Sequence, residues 1–427
     1  MNCLEKKPCT PAHWKKTTCQ HACSLYRYSM VKQYFMKSAN IINFFVENGF
    51  DENDLKKVLQ KVEPAPSNEF YRNKLMLRLE QDKVTEKITA GLYAKNSHKL
   101  INIFSCKLHV EGMNDLARKI VYLINQFSFK VIDENGDMSA PGLRNLVLRY
   151  SFRQKKFLLV IVTSKRRVPG LAELASLIEK KYGSLLTAIV QNINSINGDG
   201  VLGNENRFLL KNEEMIERYG KFSIPVGPSS FTQTNPMVAH LIYKRVNDIL
   251  GQEEFSLGVE AHSGVGLYSQ FLAQKTEHIL NIEENPNSIM DAKNSCEKNK
   301  IHNIFHSCSL AHEGLAQVNE KLGRPSWLIV NPPRKGLLKE TREIIAQLNP
   351  AHFFYISCSP KTLARDLAEL FEKNKDFVLE SVEPFDMFPH TEHIECLVYI
   401  KSKKALSDTE KVSKNILSEF MQTQQEK

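Results

Sequence analysis

The chain has 427 residues, of which 42% are hydrophobic and 25% charged, with 57 Lys and Arg against 48 Asp and Glu. That balance excludes an intrinsically disordered chain, a collagen and a disulfide-dense secreted scaffold, and the length predicts two or three domains. The longest purely apolar run, residues 157–162, is far short of the roughly 20 residues that span a bilayer. The opening residues MNCLEKKPC have no apolar signal-peptide core. Nine scattered cysteines then predict reduced thiols in a cytoplasmic protein, suited to metal binding or catalysis.

Charge is unevenly placed. Residues 1–40 hold seven Lys/Arg against Glu5, and residues 141–180 hold nine against Glu173 and Glu179. Two basic windows on a near-neutral body predict a polyanionic partner, RNA or DNA, held through its phosphates.

In chain order, Cys9, Cys19 and Cys23 crowd one short stretch, with Cys3 before them and Cys106 much later. Three close thiols and a distant one suit a four-cysteine iron–sulfur or zinc site. Residues 29–48 and 167–182 have helical spacing. Residues 143–163 read as a hairpin: two apolar strands flank the polar turn 153–156, and Arg144, Arg149 and Arg153 ride along the first strand. The amino-terminal half is thus expected to be a mixed α+β platform with a basic surface.

From Asn235 helix and strand alternate. Asn235 caps a helix that Pro236 opens, and Val238, Leu241, Ile242, Val246 and Ile249 form its apolar face. Apolar strands at 255–260, 278–283, 327–330 and 352–356 predict a doubly wound parallel sheet, with ligands beyond the strands' carboxyl ends. The chemically distinctive residues sit at those ends. A loop from Glu260 through His262, Gly264 and Gly266 lets backbone approach a ligand. Glu283 closes the next strand, where acids commonly bind ribose hydroxyls. Asn331-Pro332-Pro333-Arg334 makes a rigid wall suited to a planar base. Cys358 precedes a helix N-terminus, which is expected to lower its thiol pKa. The stretch 386–395 gathers Asp386, His390, His393 and Glu395. No phosphate-binding P-loop pattern is present, which argues against a nucleotide triphosphatase. The segment from about residue 402 reads as a polar, lysine-rich tail.

Six motifs in a fixed order, FTQTNP (231–236), the glycine loop (263–266), NIE (281–283), VNPPRKG (330–336), SCSPKTLARDL (357–367) and DMFPHTEHIE (386–395), resemble the RNA uracil-5-methyltransferase family. The upstream cysteines and YRNK (71–74) extend the likeness, which is greatest to the iron–sulfur subgroup that acts on 23S ribosomal RNA without an amino-terminal RNA-binding barrel.

The resemblance implies a Rossmann-like class I methyltransferase domain (226–404) behind a cysteine-rich segment (1–45) and an α+β RNA-binding region (46–225), with the polar tail at 405–427. It implies S-adenosylmethionine as cofactor, contacted by Gln233, His262, Glu283 and Asn331 with Gly264 and Gly266. Cys358 is then the nucleophile and Glu395 the base. Cys19, Cys23 and Cys106, with Cys9 or Cys3, would hold a [4Fe–4S] cluster. The partner is structured RNA, 23S ribosomal RNA before transfer RNA, with no obligate protein partner and no membrane. Three departures stand out. Glu260 replaces the family's aspartate, His262 replaces an aromatic, and no acid stands near Ser309 or Leu310, where one would face the adenine.

Overall fold

The computed structural model describes residues 23–93, 97, 99–101, 105–133, 136–198, 200–230 and 232–404; Cys3, Cys9, Cys19, Phe231 and the polar tail lie outside them. The described residues form two compact units, one of 23–27, 67–229 and 234–236, the other of 28–66, 230–233 and 237–404. This grouping differs from the sequence-based segments, because residues 28–66 bury their apolar side chains in the carboxy-terminal unit.

Helix α1 (Met30–Glu47) starts at Ser29, whose side chain accepts from the Lys32 N–H, and it buries Gln33, Lys37, Ile41 and Phe45 at four-residue spacing. Ile41 and Phe45 enter the same core as Leu363 and Leu367. The polar half of the stripe meets polar partners: Lys37 Nζ donates to Asp386 at 2.5 Å, and Gln33 Nε2 lies 3.1 Å from His390 Nδ1. Helix α2 (Glu52–Val58) is capped by Asp51. The chain then bridges to Val382 through Leu59 and to Phe385 through Glu63.

The amino-terminal unit carries β1 (Lys74–Gln81), β2 (Ile88–Tyr93), β3 (Leu100–Ile101), α3 (Met113–Ile124), β4 (Leu143–Ser151), β5 (Lys156–Thr163), α4 (Leu171–Tyr182), β6 (Leu186–Ile193) and β7 (Glu205–Lys211). Its sheet order is β3-β2-β1-β4-β5-β6-β7. The expected hairpin is β4–β5, paired from Leu143↔Thr163 to Ser151↔Lys156. Ile120, Ile124, Leu174 and Ile178 pack from the two helices onto Leu146, Leu159 and Ile161. A short ribbon, β8 (Ile216–Tyr219) with β9 (Phe222–Pro225), follows.

The basic surface expected along the first hairpin strand is corrected here. Arg144 and Arg149 are buried and spend their guanidinium groups on carbonyls: Arg144 Nη1 donates to Asn194 O (2.7 Å), and Arg149 Nη1 to Gly227 O (2.6 Å). Only the turn residues Arg153 and Lys155 are exposed. The position of β4 explains the difference, since it lies inside the sheet with packing over both faces, so its side chains are enclosed whichever way they point.

The carboxy-terminal unit alternates as expected: α5 (Pro236–Ile249), β10 (Phe255–Ala261), α6 (Leu267–Leu272), β11 (Thr276–Glu283), α7 (Pro286–Lys298), β12 (Ile304–Cys308), α8 (Ala311–Gln317), β13 (Trp327–Val330), α9 (Lys339–Leu348), β14 (His352–Ser357), α10 (Pro360–Lys373), β15 (Phe377–Phe385) and β16 (Glu395–Ser402). The sheet runs β12-β11-β10-β13-β14-β16-β15, parallel from β12 to β14. β16 pairs antiparallel with both β14 and β15. No helix among the described residues is long and apolar enough to cross a membrane.

The Lys37–Asp386 pair is almost wholly buried, and burial pushes the lysine down and the aspartate up, each toward its neutral form. Removing one member strands the other charge. Lys37→Met is therefore expected to cost about 3–5 kcal/mol in urea unfolding, and Lys37→Met with Asp386→Leu to recover most of that loss.

Candidate active site

The carboxyl ends of β11, β10, β13 and β14 lie side by side in the sheet, and each delivers one of the marked residues. Glu283 ends β11, His262 follows β10, Asn331 follows β13 and Cys358 follows β14. Glu395 is the first residue of β16. Because β16 runs against β14, with Ser357 opposite Cys396, its beginning lies where β14 ends. Cys358 and Glu395, 37 positions apart in sequence, thereby become neighbours.

The glycine loop is tied to both flanking strands. The Gly264 N–H donates to Glu283 Oε2 (2.9 Å), Ser263 N–H to Ile282 O (3.2 Å), and Asn331 N–H to Ala261 O (3.4 Å). Gly266 sits at φ +66°, where an added Cβ would come within 2.1 Å of Asn281 Nδ2, so no other residue fits. His262 also has positive φ, and burial pushes its imidazole down to about 4. It stays neutral at pH 7, an uncharged ring where the resembled family carries an aromatic.

Behind the loop lies a buried polar chain. Ser269 N–H donates to Glu260 Oε2 (2.7 Å), and Ser269 Oγ lies 2.5 Å from both that oxygen and Asn281 Oδ1. One hydroxyl has one proton to give. The chain of oxygens is satisfied when Glu260 is itself protonated, and burial indeed pushes Glu260 up to about 7.

The residues fit S-adenosylmethionine. Ser263 Oγ is a buried polar atom in the glycine loop with no hydrogen-bond partner among the described residues. Glu283 offers a carboxylate and Asn331 a half-buried amide at adjacent strand ends. Gln233 is half-buried just before α5. Where the resemblance leads one to expect an acid near the end of β12, Leu310 is exposed.

The thiol reverses one expectation. Cys358 is held above its ordinary value, first by burial and then by the Glu395 carboxylate, while Arg334 pulls it down by its charge and by a hydrogen bond. A helix N-terminus is present, but Ser359 already caps it by accepting from the Thr362 N–H. Burial outweighs what the helix end contributes. Glu395 is 2% exposed, and desolvation pushes its carboxyl up to about 8 against the opposing pull of Arg334.

Arg334 was visible in sequence only as part of NPPRKG. Its placement depends on Asp366, whose importance the sequence does not announce. Fully buried in α10, Asp366 accepts from Leu337 N (2.8 Å), Tyr355 OH (2.7 Å), Arg342 Nη1 (3.1 Å) and Arg365 Nη2 (2.6 Å). Thr362 Oγ1 donates to the Arg334 carbonyl (3.2 Å). Gly336, at φ +77°, leaves no room for a Cβ, which would fall 2.4 Å from Asp366 Oδ2. The proline loop and the cysteine's helix are thus clamped together.

The profile of the tRNA (uracil-5-)-methyltransferase family matches residues 217–403. An RNA methyltransferase of Clostridium acetobutylicum is 32% identical over 334 residues, covering 78% of this chain and 71% of the relative. One from Oceanobacillus iheyensis is 28% identical over 399 residues, covering 92% and 84%. In fold the chain is similar to the tRNA (uracil-54, C5)-methyltransferase of Pyrococcus abyssi, solved with S-adenosyl-L-homocysteine (TM-score 0.68, 22% identity, 88% and 85% coverage).

The charges around Cys358 predict opposite effects on its reactivity. At pH 8, Arg334→Ala is expected to slow iodoacetamide alkylation of Cys358 several-fold and Glu395→Gln to speed it several-fold, read by mass spectrometry of the Cys358 peptide. Equal rates in all three proteins would mean that neither charge acts on the thiol.

Proposed function

The chain belongs to the RNA uracil-5-methyltransferase family, and on that premise we propose that it uses S-adenosylmethionine to methylate C5 of a uridine in structured RNA, with 23S ribosomal RNA favoured over transfer RNA. The observation that carries the reading is Cys358 beside a desolvated Glu395 at the sheet edge that also presents Glu283 and Asn331.

Uracil C5 is a weak nucleophile. The Cys358 thiolate adds to C6, and the electron pair displaced from the C5–C6 double bond makes C5 nucleophilic. S-adenosylmethionine, when bound, supplies an electrophilic methyl group. Glu395 then takes the proton from C5, the C5–C6 double bond reforms, and the thiolate leaves. The protein's own residues divide this work by charge. Arg334 favours the thiolate, and while Glu395 holds its proton it places no negative charge against the sulfur. A carboxyl pushed up to about 8 is a far stronger base than an ordinary one once ionised. Glu283, Asn331, Gln233, His262 and the loop carrying Gly264 and Gly266 would hold the cofactor.

The preference for ribosomal RNA rests on the cysteines. Neither Cys23, which is buried, nor Cys106 is in a disulfide. Their segments are fastened to one carboxylate: Tyr26 OH donates to Glu69 Oε1 (2.6 Å), and Lys107 Nζ lies 3.2 Å from the same oxygen. Two thiols on segments joined this way suit the distant half and the near half of one cluster site. Cys19 and Cys9, the other proposed ligands, lie outside the described residues.

Four measurements follow from this reading. Cys358→Ala is expected to abolish both methylation and any covalent RNA adduct, whereas Glu395→Gln accumulates the adduct on denaturing gels; an active Cys358→Ala protein overturns the mechanism. Since Glu395 must be ionised to accept the C5 proton, single-turnover methylation is expected to rise with pH through about 8. Protein purified without oxygen is expected to carry roughly four iron atoms per chain and to lose them in Cys23→Ser or Cys106→Ser. Mapping 5-methyluridine in a strain lacking the gene decides the substrate, loss from transfer RNA alone overturning the ribosomal assignment.

A further inference from the structure

The stretch 386–395 crowds titratable side chains together, and the proposed chemistry uses Glu395 alone. Residues 386–394 form the loop from β15 to β16, and its two ends meet in the sheet, where Phe385 stands opposite Glu395. One face of α1 fastens the interior of that loop. Lys37 Nζ reaches both Asp386 Oδ1 and the Phe388 carbonyl (3.3 Å). Gln33, one turn earlier on the same stripe, takes hold of His390.

The Gln33 amide is fully buried and uses every group it has. Its Oε1 accepts from the His390 N–H (3.0 Å), while Nε2 donates to Tyr28 O (2.9 Å) and lies 3.1 Å from His390 Nδ1. The two backbone groups decide which end of the amide is which. Turned over, its oxygen would face a carbonyl and its NH2 would face an N–H. An NH2 group only donates, so Nδ1 of His390 is the acceptor, and the neutral ring carries its proton on Nε2. His390 is also held at φ +68°, a left-handed backbone that residues other than glycine rarely adopt unless their surroundings impose it. One glutamine therefore fixes both the backbone and the ring of the loop's central residue. From there Thr391 Oγ1 donates to the Phe388 carbonyl (2.8 Å) and accepts from the His393 N–H (3.2 Å), which carries the fastening to within two residues of Glu395.

We propose that Gln33 is a positioning residue for the base. By locking His390 as its Nε2–H tautomer in a left-handed backbone, it holds the loop so that Glu395 meets the C5 proton. It also keeps the imidazole from taking that proton: one ring nitrogen is already protonated, and the lone pair of the other is engaged by the amide. This inference rests on the reading of the chain as a uracil methyltransferase. It adds to that reading a side chain from a helix outside the 217–403 span of the family match.

The first test needs only the wild-type full chain with labelled histidines. Long-range proton–nitrogen correlation spectra are expected to show His390 with its proton on Nε2, the signal being assigned by its loss in His390→Asn, since asparagine tolerates the left-handed backbone. A proton on Nδ1 overturns the assignment. The second test uses Gln33→Glu, which keeps the shape and the acceptor for the His390 N–H but offers Nδ1 no donor. There Nδ1 is expected to gain a proton, and single-turnover methylation to slow about tenfold or more, with RNA affinity in fluorescence anisotropy unchanged. Because the defect lies at proton removal, the covalent RNA adduct is expected to accumulate on denaturing gels, as in Glu395→Gln. Methylation at the wild-type rate overturns the proposal, and so does slow methylation without adduct, which would mark a merely structural role. If Glu395→Gln itself traps no adduct, the proposed chemistry fails separately, while the tautomer result stands on its own.

Discussion

The chemistry proposed for this protein depends on a single reversal of strand direction. Five strands, β12 to β14, run parallel, and their carboxyl ends present the residues suited to a nucleoside cofactor and to a nucleophile. A sixth parallel strand would have sent its first residue to the opposite edge. Because β16 enters antiparallel, its first residue, Glu395, lands beside Cys358, and a carboxylate and a thiol share one desolvated corner. Burial raises both groups, so the pair cannot readily hold two negative charges at once. Arg334 offsets part of this by favouring the charged form of each.

Holding that corner still requires buried charge, and the fold supplies it twice. Asp366 gathers two arginines, a tyrosine hydroxyl and a backbone N–H, which joins the loop of Arg334 to the helix that starts just beyond Cys358. Lys37 meets Asp386 at the head of the loop that leads into Glu395. Such pairs add little net stability relative to apolar packing, since desolvation cancels most of their attraction. What they contribute is position. Each leaves one arrangement of the loop in which no charge is stranded.

The two basic windows illustrate how composition and placement diverge. Counting charges pointed to a polyanion, and family membership agrees. Yet within the hairpin Arg144 and Arg149 are buried, and carbonyl oxygens occupy them. Net charge is a property of the whole chain, whereas the field at a surface depends on which side chains the sheet turns outward.

Residue order alone determined four of the five parallel strands of the carboxy-terminal sheet, the helix at Pro236, the hairpin at 143–163 and the six motifs, because each is encoded by local periodicity, by proline and glycine geometry, or by a compact run of residues. β12, β15 and β16 escaped notice, since mixed polarity hides a strand whose partners are distant. Tertiary structure decided the rest: that residues 28–66 complete the carboxy-terminal core, that Asp366 and Lys37 bear the buried charge, and that Cys358 is raised rather than lowered. Those outcomes depend on desolvation and on neighbours brought together from far apart in the chain, and neither is a quantity that a linear pattern contains.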